Sequence, residues 1–221
     1  MAGAARAGRR RDGSVTRERM LEEAMAAIAE DGLATLTMSA LAERLGTSGG
    51  HILYHFGSKD LLLLAALRWS ETALAEERRA LLGRRLAAPR RLDLFLDLYL
   101  PRGPRDPRWT LWIELWARIP ANPELRAAQR ELDAGWQEDL EALLAKGVER
   151  GHFAPLDAPA RASELLALLD GLSTRVVLGQ ESGRDTRSAP DAARAAAALL
   201  IPRAEGLSSP EAAPTARAPR R

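Results

Sequence analysis

The segment that decides the fold runs from Thr37 to Lys59 and reads TMSALAERLGTSGGHILYHFGSK. In its first part, apolar residues recur at intervals of three and four, which predicts a short amphipathic helix. Gly46 ends that helix, because glycine readily takes the left-handed conformation found at helix C-termini. A second short helix follows at once, and another turn at Gly57 opens a long third helix. Two short helices joined by a tight turn are typical of a helix-turn-helix DNA reader.

The second helix of this segment buries one face and exposes an unusual one. Ile52 and Phe56 lie four residues apart, so they form its buried side. Thr47 or Ser48, just after Gly46, can accept hydrogen bonds from the free backbone N–H groups in the first turn of this second helix. The paired glycines Gly49 and Gly50 carry no side chain that would hold a second body away. The N-terminal end of this helix can therefore approach DNA closely, at a cost of about 1 kcal/mol of helix propensity for each glycine.

The residues that share their spacing with one known family are Gly46, Ser48, Gly50, Ile52, Tyr54, His55, Phe56, Ser58 and Lys59. On these residues the segment resembles the TetR-type bacterial transcriptional regulators. The resemblance continues more weakly through the segments WTLWIELWAR, NPELR and LLALLDGL, which look like the choline-regulator (BetI-like) branch. It implies an all-α fold of about nine helices, in which a three-helix DNA-binding domain precedes a helical bundle that binds a small molecule and dimerises.

The resemblance also assigns roles to individual side chains. Tyr54, His55 and Lys59 match family residues that bind phosphates. Thr37 matches a phosphate contact at the start of the preceding helix. The full set of predicted DNA-binding residues is Thr37, Thr47, Ser48, Gly49, Gly50, His51, Leu53, Tyr54, His55 and Lys59.

Base reading is predicted at fewer positions. Gly50 and His51 match family positions that approach base edges, and a neutral imidazole offers one donor and one acceptor. An exposed histidine without a role is the alternative for His51. Gly49 stands where many family members have a lysine, which predicts weaker phosphate binding. Leu53 stands where many have a tyrosine, so it either meets a thymine methyl group or simply packs.

Composition restricts the class of protein. The chain has 221 residues, of which 46% are hydrophobic and 28% charged, as in globular domains with real cores. Ala, Leu, Arg and Glu dominate and β-branched runs are absent, which predicts an all-α fold. Cysteine is missing, so disulfides, thiol catalysis and cysteine metal sites are excluded. The net charge of +2 means that affinity for nucleic acid has to come from local basic patches.

Location and domain limits follow from the distribution of these residues. The basic N-terminus lacks the apolar core of a signal peptide, and the longest apolar run is far shorter than the ~20 residues that span a bilayer. We therefore expect a cytoplasmic protein that does not bind membranes. The arginines near the N-terminus either reach a minor groove or only add solubility. The predicted domains are a flexible basic arm 1–13, a helix-turn-helix DNA-binding domain 14–60, a ligand-binding and dimerisation domain 61–202 and a disordered tail 203–221.

Capping residues mark the later helices. Ser58 is predicted to cap a long helix that runs to about Leu86, and in TetR-like proteins this helix transmits ligand occupancy to the DNA reader. Pro89 marks a break after it. Asp-Pro at 106–107 and Asn-Pro at 122–123 predict the starts of two further helices. The last helix is rich in alanine and permits close contact, and family members use it with its neighbour to form a homodimer.

Aromatic side chains from several helices predict a ligand pocket in the C-terminal domain. Tryptophan faces attract quaternary ammonium groups, and flat apolar ligands suit them as well, whereas plain core packing is the alternative. Asp170 interrupts an apolar run, so it is either a counter-charge for a cation or part of a helix-to-helix hydrogen bond. Glu114 is a second candidate counter-charge, although it projects from a different side of its helix than Trp112. The predicted pocket residues are Trp69, Phe95, Tyr99, Trp109, Trp112, Trp116, Trp136 and Asp170.

Enzyme chemistry finds no support in the sequence. The histidines are His51, His55 and His152, and two of them lie on the reader helix, so neither a catalytic triad nor a metal site suggests itself. No phosphate-binding loop, cofactor or metal is predicted. The sequence predicts a repressor that binds a palindromic double-stranded DNA operator as a homodimer and leaves it when a small-molecule inducer, cationic or flat and apolar, enters the bundle. The alternatives are an effector-independent or architectural DNA-binding protein and a helical small-molecule-binding protein without DNA function.

Overall fold

The computed structural model describes residues 15–180 and 188–204 of the chain. Within these ranges the chain forms nine α-helices and one short 3-10 helix, with no β-sheet. The all-α fold predicted from the sequence is confirmed. The elements are α1 (Arg17–Asp31), α2 (Met38–Leu45), α3 (Gly49–Phe56), α4 (Lys59–Leu82), α5 (Ala88–Tyr99), α6 (Pro107–Trp116), the 3-10 turn Ile119–Ala121, α7 (Pro123–Glu149), α8 (Ala158–Val177) and α9 (Ala189–Leu200).

The first three helices pack into one small unit, and short polar side chains and a glycine form their ends. Thr16 caps α1 by accepting from the backbone N–H of Arg19 at 3.2 Å. Gly46 ends α2 in the left-handed conformation, with φ 68° and ψ 29°. Ser48, and not Thr47, caps α3. The core of the unit combines fully or largely buried side chains of all three helices, namely Met20, Leu21, Ala24, Ile28, Leu41, Ala42, Ile52 and Phe56.

Helix α4 runs from this unit into the C-terminal bundle. It ends at Leu82 and not near Leu86, because the N–H of Arg84 bonds back to the carbonyl of Leu81 at 3.1 Å in a tight turn. Pro89 lies in the first turn of α5, so it belongs to the start of that helix and does not mark a break before it. The fixed φ of proline suits a helix start, and its missing N–H has no partner in a first turn.

The two Asx-Pro start signals are confirmed. The side chain of Asp106 accepts from the backbone N–H of Trp109 at 3.3 Å, and Pro107 is the first residue of α6. The side chain of Asn122 caps α7 by accepting from two backbone N–H groups at 3.0 and 3.2 Å, and Pro123 follows it. These starts set the orientation of the helices that carry most of the aromatic side chains.

Two residues predicted to lie in the tail belong to the folded bundle. Arg203 forms an antiparallel bridge with Phe153, and the N–H of Ala204 donates to the carbonyl of His152 at 3.3 Å. The segment after α7 packs tightly here, since a Cβ at Gly147 would lie 2.2 Å from the ring of Phe153. Because the chain end after α9 is anchored to this turn, the folded part extends beyond the predicted limit at residue 202.

Helix α6 connects the C-terminal bundle to the DNA-binding unit. Glu114, near its C-terminus, accepts from the backbone N–H of Leu33 at 2.9 Å. Arg118 binds the carboxylate of Glu114 at 2.7 Å and that of Asp60 at 3.2 Å. Glu114 is therefore not a counter-charge for a ligand, because its oxygens are directed to the corner between α1 and α2 and to Arg118.

The predicted basic arm at 1–13 and the predicted tail from residue 205 lie outside the described residues. Among the helices that are described, none combines the length and the apolar character needed to cross a bilayer.

Candidate functional site

Helix α3 presents the predicted DNA-reading face to solvent. Leu53 is 46% exposed and Tyr54 is 85% exposed, which leaves both large side chains free to contact another molecule. A Cβ at Gly50 would meet only open space. A Cβ at Gly49 would lie 3.4 Å from the hydroxyl of Ser39, so this glycine serves the packing of α3 on α2. Of the glycine pair, only Gly50 opens the outer surface.

His51 is held in a chain of polar contacts along α3. Its Nδ1 lies 2.9 Å from Oγ1 of Thr47, and its Nε2 lies 3.1 Å from Nε2 of His55. The contact between the two rings requires that one Nε2 carries a proton and the other does not. These contacts orient the imidazole, and binding to a base edge through Nε2 requires His51 to exchange its contact with His55.

Three predicted DNA-binding residues stand at the starts of α2, α3 and α4. Thr37 caps α2 and accepts from the backbone N–H of Ala40 at 3.0 Å, and Ser48 caps α3 in the same way. Lys59 begins α4, and its ammonium group donates to the carbonyl of Ala34 at 3.0 Å. Helix N-termini attract phosphate groups, because their free backbone N–H groups and positive dipole ends point outward. Of the predicted phosphate contacts, Thr37 and Lys59 lie at such helix starts, whereas Tyr54 and His55 lie in the last turn of α3.

A cavity of about 400 Å³ lies between α5, α6, α7 and α8. Its volume falls within the range of small-molecule sites, about 300–1,000 Å³. The predicted pocket residues that line it are Tyr99, Trp109, Trp112, Trp116, Trp136 and Asp170.

Two predicted pocket residues do not line this cavity. Phe95 is fully buried behind the wall, with its ring centroid 5.5 Å from that of Trp136. Trp69 faces a groove on the outside of α4. The residue of α4 that points at the cavity wall is Glu71, two positions further along. Two positions turn a side chain by about 200° around a helix, so Trp69 and Glu71 point in opposite directions.

The aromatic wall is built from rings of three helices. Tyr99 of α5 lies edge-on to Trp136 of α7, with ring centroids 4.8 Å apart, and to Trp109 of α6 at 5.6 Å. Trp116 continues the wall along α6, 6.1 Å from Trp109 and 6.0 Å from Trp112. Edge-to-face arrangements at these distances are favourable. The structure therefore shows that these residues form both a packed core and a cavity lining.

Two carboxylates face this wall. Asp170 accepts from the hydroxyl of Tyr99 at 2.6 Å, so the predicted helix-to-helix hydrogen bond exists and the residue also lines the cavity. Burial raises the pKa of Asp170, while the bond from Tyr99 opposes that rise. Asp133, which sequence reasoning missed, lines the cavity from α7. Loss of water around its carboxyl, and then the charge of Asp170, raises the pKa of Asp133 to about 6.

Two further charged residues that sequence reasoning missed complete the wall. Glu71 is only 5% exposed, and its two carboxylate oxygens accept from the indole N–H groups of Trp112 and Trp136, each at 2.9 Å. Arg108 lines the cavity 3.8 Å from Glu71, and its guanidinium lies 5.2 Å from the ring centroid of Trp109. Burial lowers the pKa of Arg108, and the charge of Glu71 acts in the opposite direction. Glu71 stands between Ser70 and Thr72 and Arg108 between Pro107 and Trp109, so neither local sequence marks a buried charge.

Comparison with known proteins decides the family. Residues 20–66 match the family of bacterial regulatory proteins, tetR family, and residues 88–202 match the BetI-type transcriptional repressor, C-terminal. The chain belongs to the TetR family, in its BetI-type branch. The resemblance noted in the sequence is therefore confirmed.

Individual TetR-family relatives cover most of the chain. The regulator BetI of Burkholderia mallei is 30% identical over 186 residues, which are 79% of this chain and 88% of the relative. BetI 2 of Chromohalobacter salexigens is 31% identical over 177 residues, which are 76% of this chain and 80% of the relative. A transcriptional regulator from Saccharomonospora viridis, solved in complex with choline, superposes with a TM-score of 0.72 at 32% identity, covering 81% of this chain and 91% of the other.

Membership of the TetR family establishes the class of function. The protein is a ligand-responsive DNA-binding transcriptional regulator, as the sequence predicted. The family consists of regulators and not of enzymes. TetR regulators bind DNA operators, form dimers and bind small molecules, so the fold accommodates both the reader helix and the cavity described above.

Proposed function

We propose that this regulator is a homodimeric repressor of a palindromic operator, and that a choline-like quaternary ammonium cation releases it from DNA. The cavity is the main support for this ligand class, because rings from three helices stand there beside the carboxylates of Asp133 and Asp170. Aromatic faces bind quaternary ammonium ions, and nearby carboxylates strengthen that attraction. The choline complex of the Saccharomonospora viridis protein supports the same ligand class.

The polar contacts inside the cavity favour a quaternary ammonium over an amine with N–H groups. One oxygen of Asp170 already accepts from Tyr99, so fewer acceptors remain for a ligand that must donate several hydrogen bonds. A trimethylammonium group has no N–H to satisfy. It needs apolar contact with ring faces and a negative charge within a few Å, which the two carboxylates supply without rearranging their hydrogen bonds.

Release of DNA follows from the position of α6 between the two domains. The helix contributes Trp109, Trp112 and Trp116 to the cavity. Glu114 in its last turn accepts from Leu33, and Arg118, just after the helix, binds Asp60 at the start of α4. A ligand that fits the cavity better when α6 is displaced shifts the protein toward the state with displaced reader units. The size of that shift equals the difference in ligand affinity between the two states.

Operator binding requires two reader helices. One chain supplies a single α3, whereas a palindromic operator presents half-sites about 34–36 Å apart. Leu199 of α9 is 85% exposed and Leu168 of α8 is 37% exposed in the single chain, so these two helices offer an apolar face to a second copy. We expect the resulting dimer to act in the cytoplasm, where it has access to DNA.

The experiment measures release of an operator fragment, selected from random DNA, by fluorescence anisotropy. Choline is compared with spermidine and with the neutral isostere of choline, in which a tert-butyl group replaces the trimethylammonium group. We expect choline to release the DNA at lower concentration than the other two, and the Asp170→Asn variant to require more choline. If the isostere releases DNA from both proteins as well as choline does, the cation proposal is rejected and the family assignment is unaffected.

A further inference from the structure

Glu71 is a buried carboxylate that has no part in the ligand binding proposed above. It lies in the middle of α4 and is 5% exposed. One carboxylate oxygen accepts from Trp112 of α6 and the other from Trp136 of α7, both at 2.9 Å. A single buried carboxylate therefore joins three helices around the cavity and fixes the edges of two rings that line it.

Burying a carboxylate is costly unless its oxygens are bonded and its charge is compensated. Two indole donors satisfy one oxygen each, and a neutral acceptor of the same shape cannot do this, because the side-chain amide of glutamine accepts at one atom and donates at the other. Arg108 is the nearest cation, 3.8 Å from the carboxylate. A carboxylate is therefore needed at this position to bind both indoles, and it brings a negative charge to the back of the wall.

The charges that line the cavity show what Glu71 contributes. The lining carries the guanidinium groups of Arg108 and Arg130 and the carboxylates of Asp133 and Asp170, so its formal charges cancel. Glu71 stands directly behind this lining and supplies the excess negative charge. Its position at the indole N–H edges also adds electron density to the ring faces, which is the property that attracts a cation.

We propose that Glu71 is the positioning residue that makes the cavity selective for cations, by holding the rings of Trp112 and Trp136 and by neutralising Arg108. This inference rests on the proposed ligand class. It adds a prediction that the class alone does not make, because Glu71 does not itself line the cavity and acts only through Arg108 and the two indoles.

The test compares choline with its neutral tert-butyl isostere by isothermal titration calorimetry, and the readout is the ratio of the two dissociation constants. Glu71→Gln removes the charge and also one of the two indole bonds, so it should weaken both ligands, and choline about tenfold more than the isostere, because only a cation loses the attraction of the negative charge. A merely structural role would weaken both ligands equally. Glu76→Gln is the matched control, since Glu76 is an exposed residue of the same helix, and it should leave the ratio unchanged.

A second variant changes the positive charge that lies beside Glu71. Arg108→Gln removes the cation that Glu71 neutralises, so it should shift the ratio toward choline, opposite in sign to Glu71→Gln. If Glu71→Gln abolishes binding of both ligands through collapse of the cavity, this variant decides. An unchanged ratio in Arg108→Gln, or an unchanged ratio in a folded Glu71→Gln protein, would overturn the inference. If the unmodified protein binds neither ligand, the proposed ligand class fails first, and the two failures are thus distinguishable.

Discussion

At the scale of single residues, Asp133 links ligand binding to pH. Burial raises its pKa to about 6, so the carboxyl is largely protonated below that pH and ionised above it. The charged groups around it are Asp170 and Glu71, which raise this pKa further, and the two arginines of the lining. Only the ionised form attracts a cation, and we therefore expect choline affinity to rise as the pH increases.

The corresponding measurement is the dissociation constant of choline between about pH 5 and about pH 7.5. Affinity should increase through pH 6 in the unmodified protein, and Asp133→Asn should remove most of that increase because no proton has to leave. Binding of the neutral isostere serves as the control and should change little. A choline affinity that falls with rising pH would contradict the assignment of Asp133 as a counter-charge.

On the DNA-reading surface, Lys59 and His51 are expected to have different roles. Lys59→Ala should weaken binding to all DNA sequences alike and lower the salt dependence by about one counterion, because an ammonium group binds phosphate without reading sequence. His51→Ala should cost about 1–3 kcal/mol mainly at one base pair if its ring exchanges its contact with His55 for a base edge. Affinities for a set of operator variants distinguish them. Equal loss on every sequence would remove His51 from base reading.

At the scale of elements, α6 joins the cavity to the reader. Glu114→Ala should cost about 1–3 kcal/mol of stability, because the backbone N–H of Leu33 loses its acceptor in a partly buried setting. It should also reduce the effect of choline on DNA affinity while leaving choline binding itself nearly unchanged. Thermal unfolding and anisotropy titrations measure both. Glu22→Ala, which removes an exposed ion pair with Arg19, is the control and should change neither.

An unaltered response to choline in Glu114→Ala would mean that α4 alone carries the signal between the domains. Helix α4 also contacts both parts, since it begins beside the reader and holds Glu71 against the cavity wall. The experiment therefore measures how much of the coupling passes through each of the two helices.

At the scale of the whole molecule, the proposed operator binding depends on assembly of two copies. Leu199→Arg should dissociate the dimer, because a charge without a partner would be buried between the α8 and α9 helices of two subunits. Sedimentation velocity at micromolar concentration should show a monomer for this variant and a dimer for the unmodified protein. Ala145→Arg, on the exposed side of α7, should leave the dimer intact. A monomeric unmodified protein would contradict the operator proposal.

The sequence alone determined the local features of this protein. Helix starts at Thr16, Ser48, Asp106 and Asn122 depend on a side chain and the backbone two or three residues later, so they can be read from adjacent residues. The left-handed turn at Gly46 is equally local. The family resemblance rests on such short-range spacing, and for this reason the fold class and the class of function could be predicted from the order of residues.

Only the tertiary structure decided which side chains meet in the cavity and behind its wall. Glu71, Arg108 and Asp133 lie on three different helices, and nothing in their own segments indicates that they meet. Trp69 and Phe95 have aromatic side chains of the kind that line pockets, but both lie outside the cavity. The rotation of each helix about its axis, which decides this, is set by packing against its neighbours. Sequence periodicity reports which side of a helix is buried. What that side is buried against is determined by contacts between residues far apart in the chain, and the charge and shape of the cavity depend on those contacts.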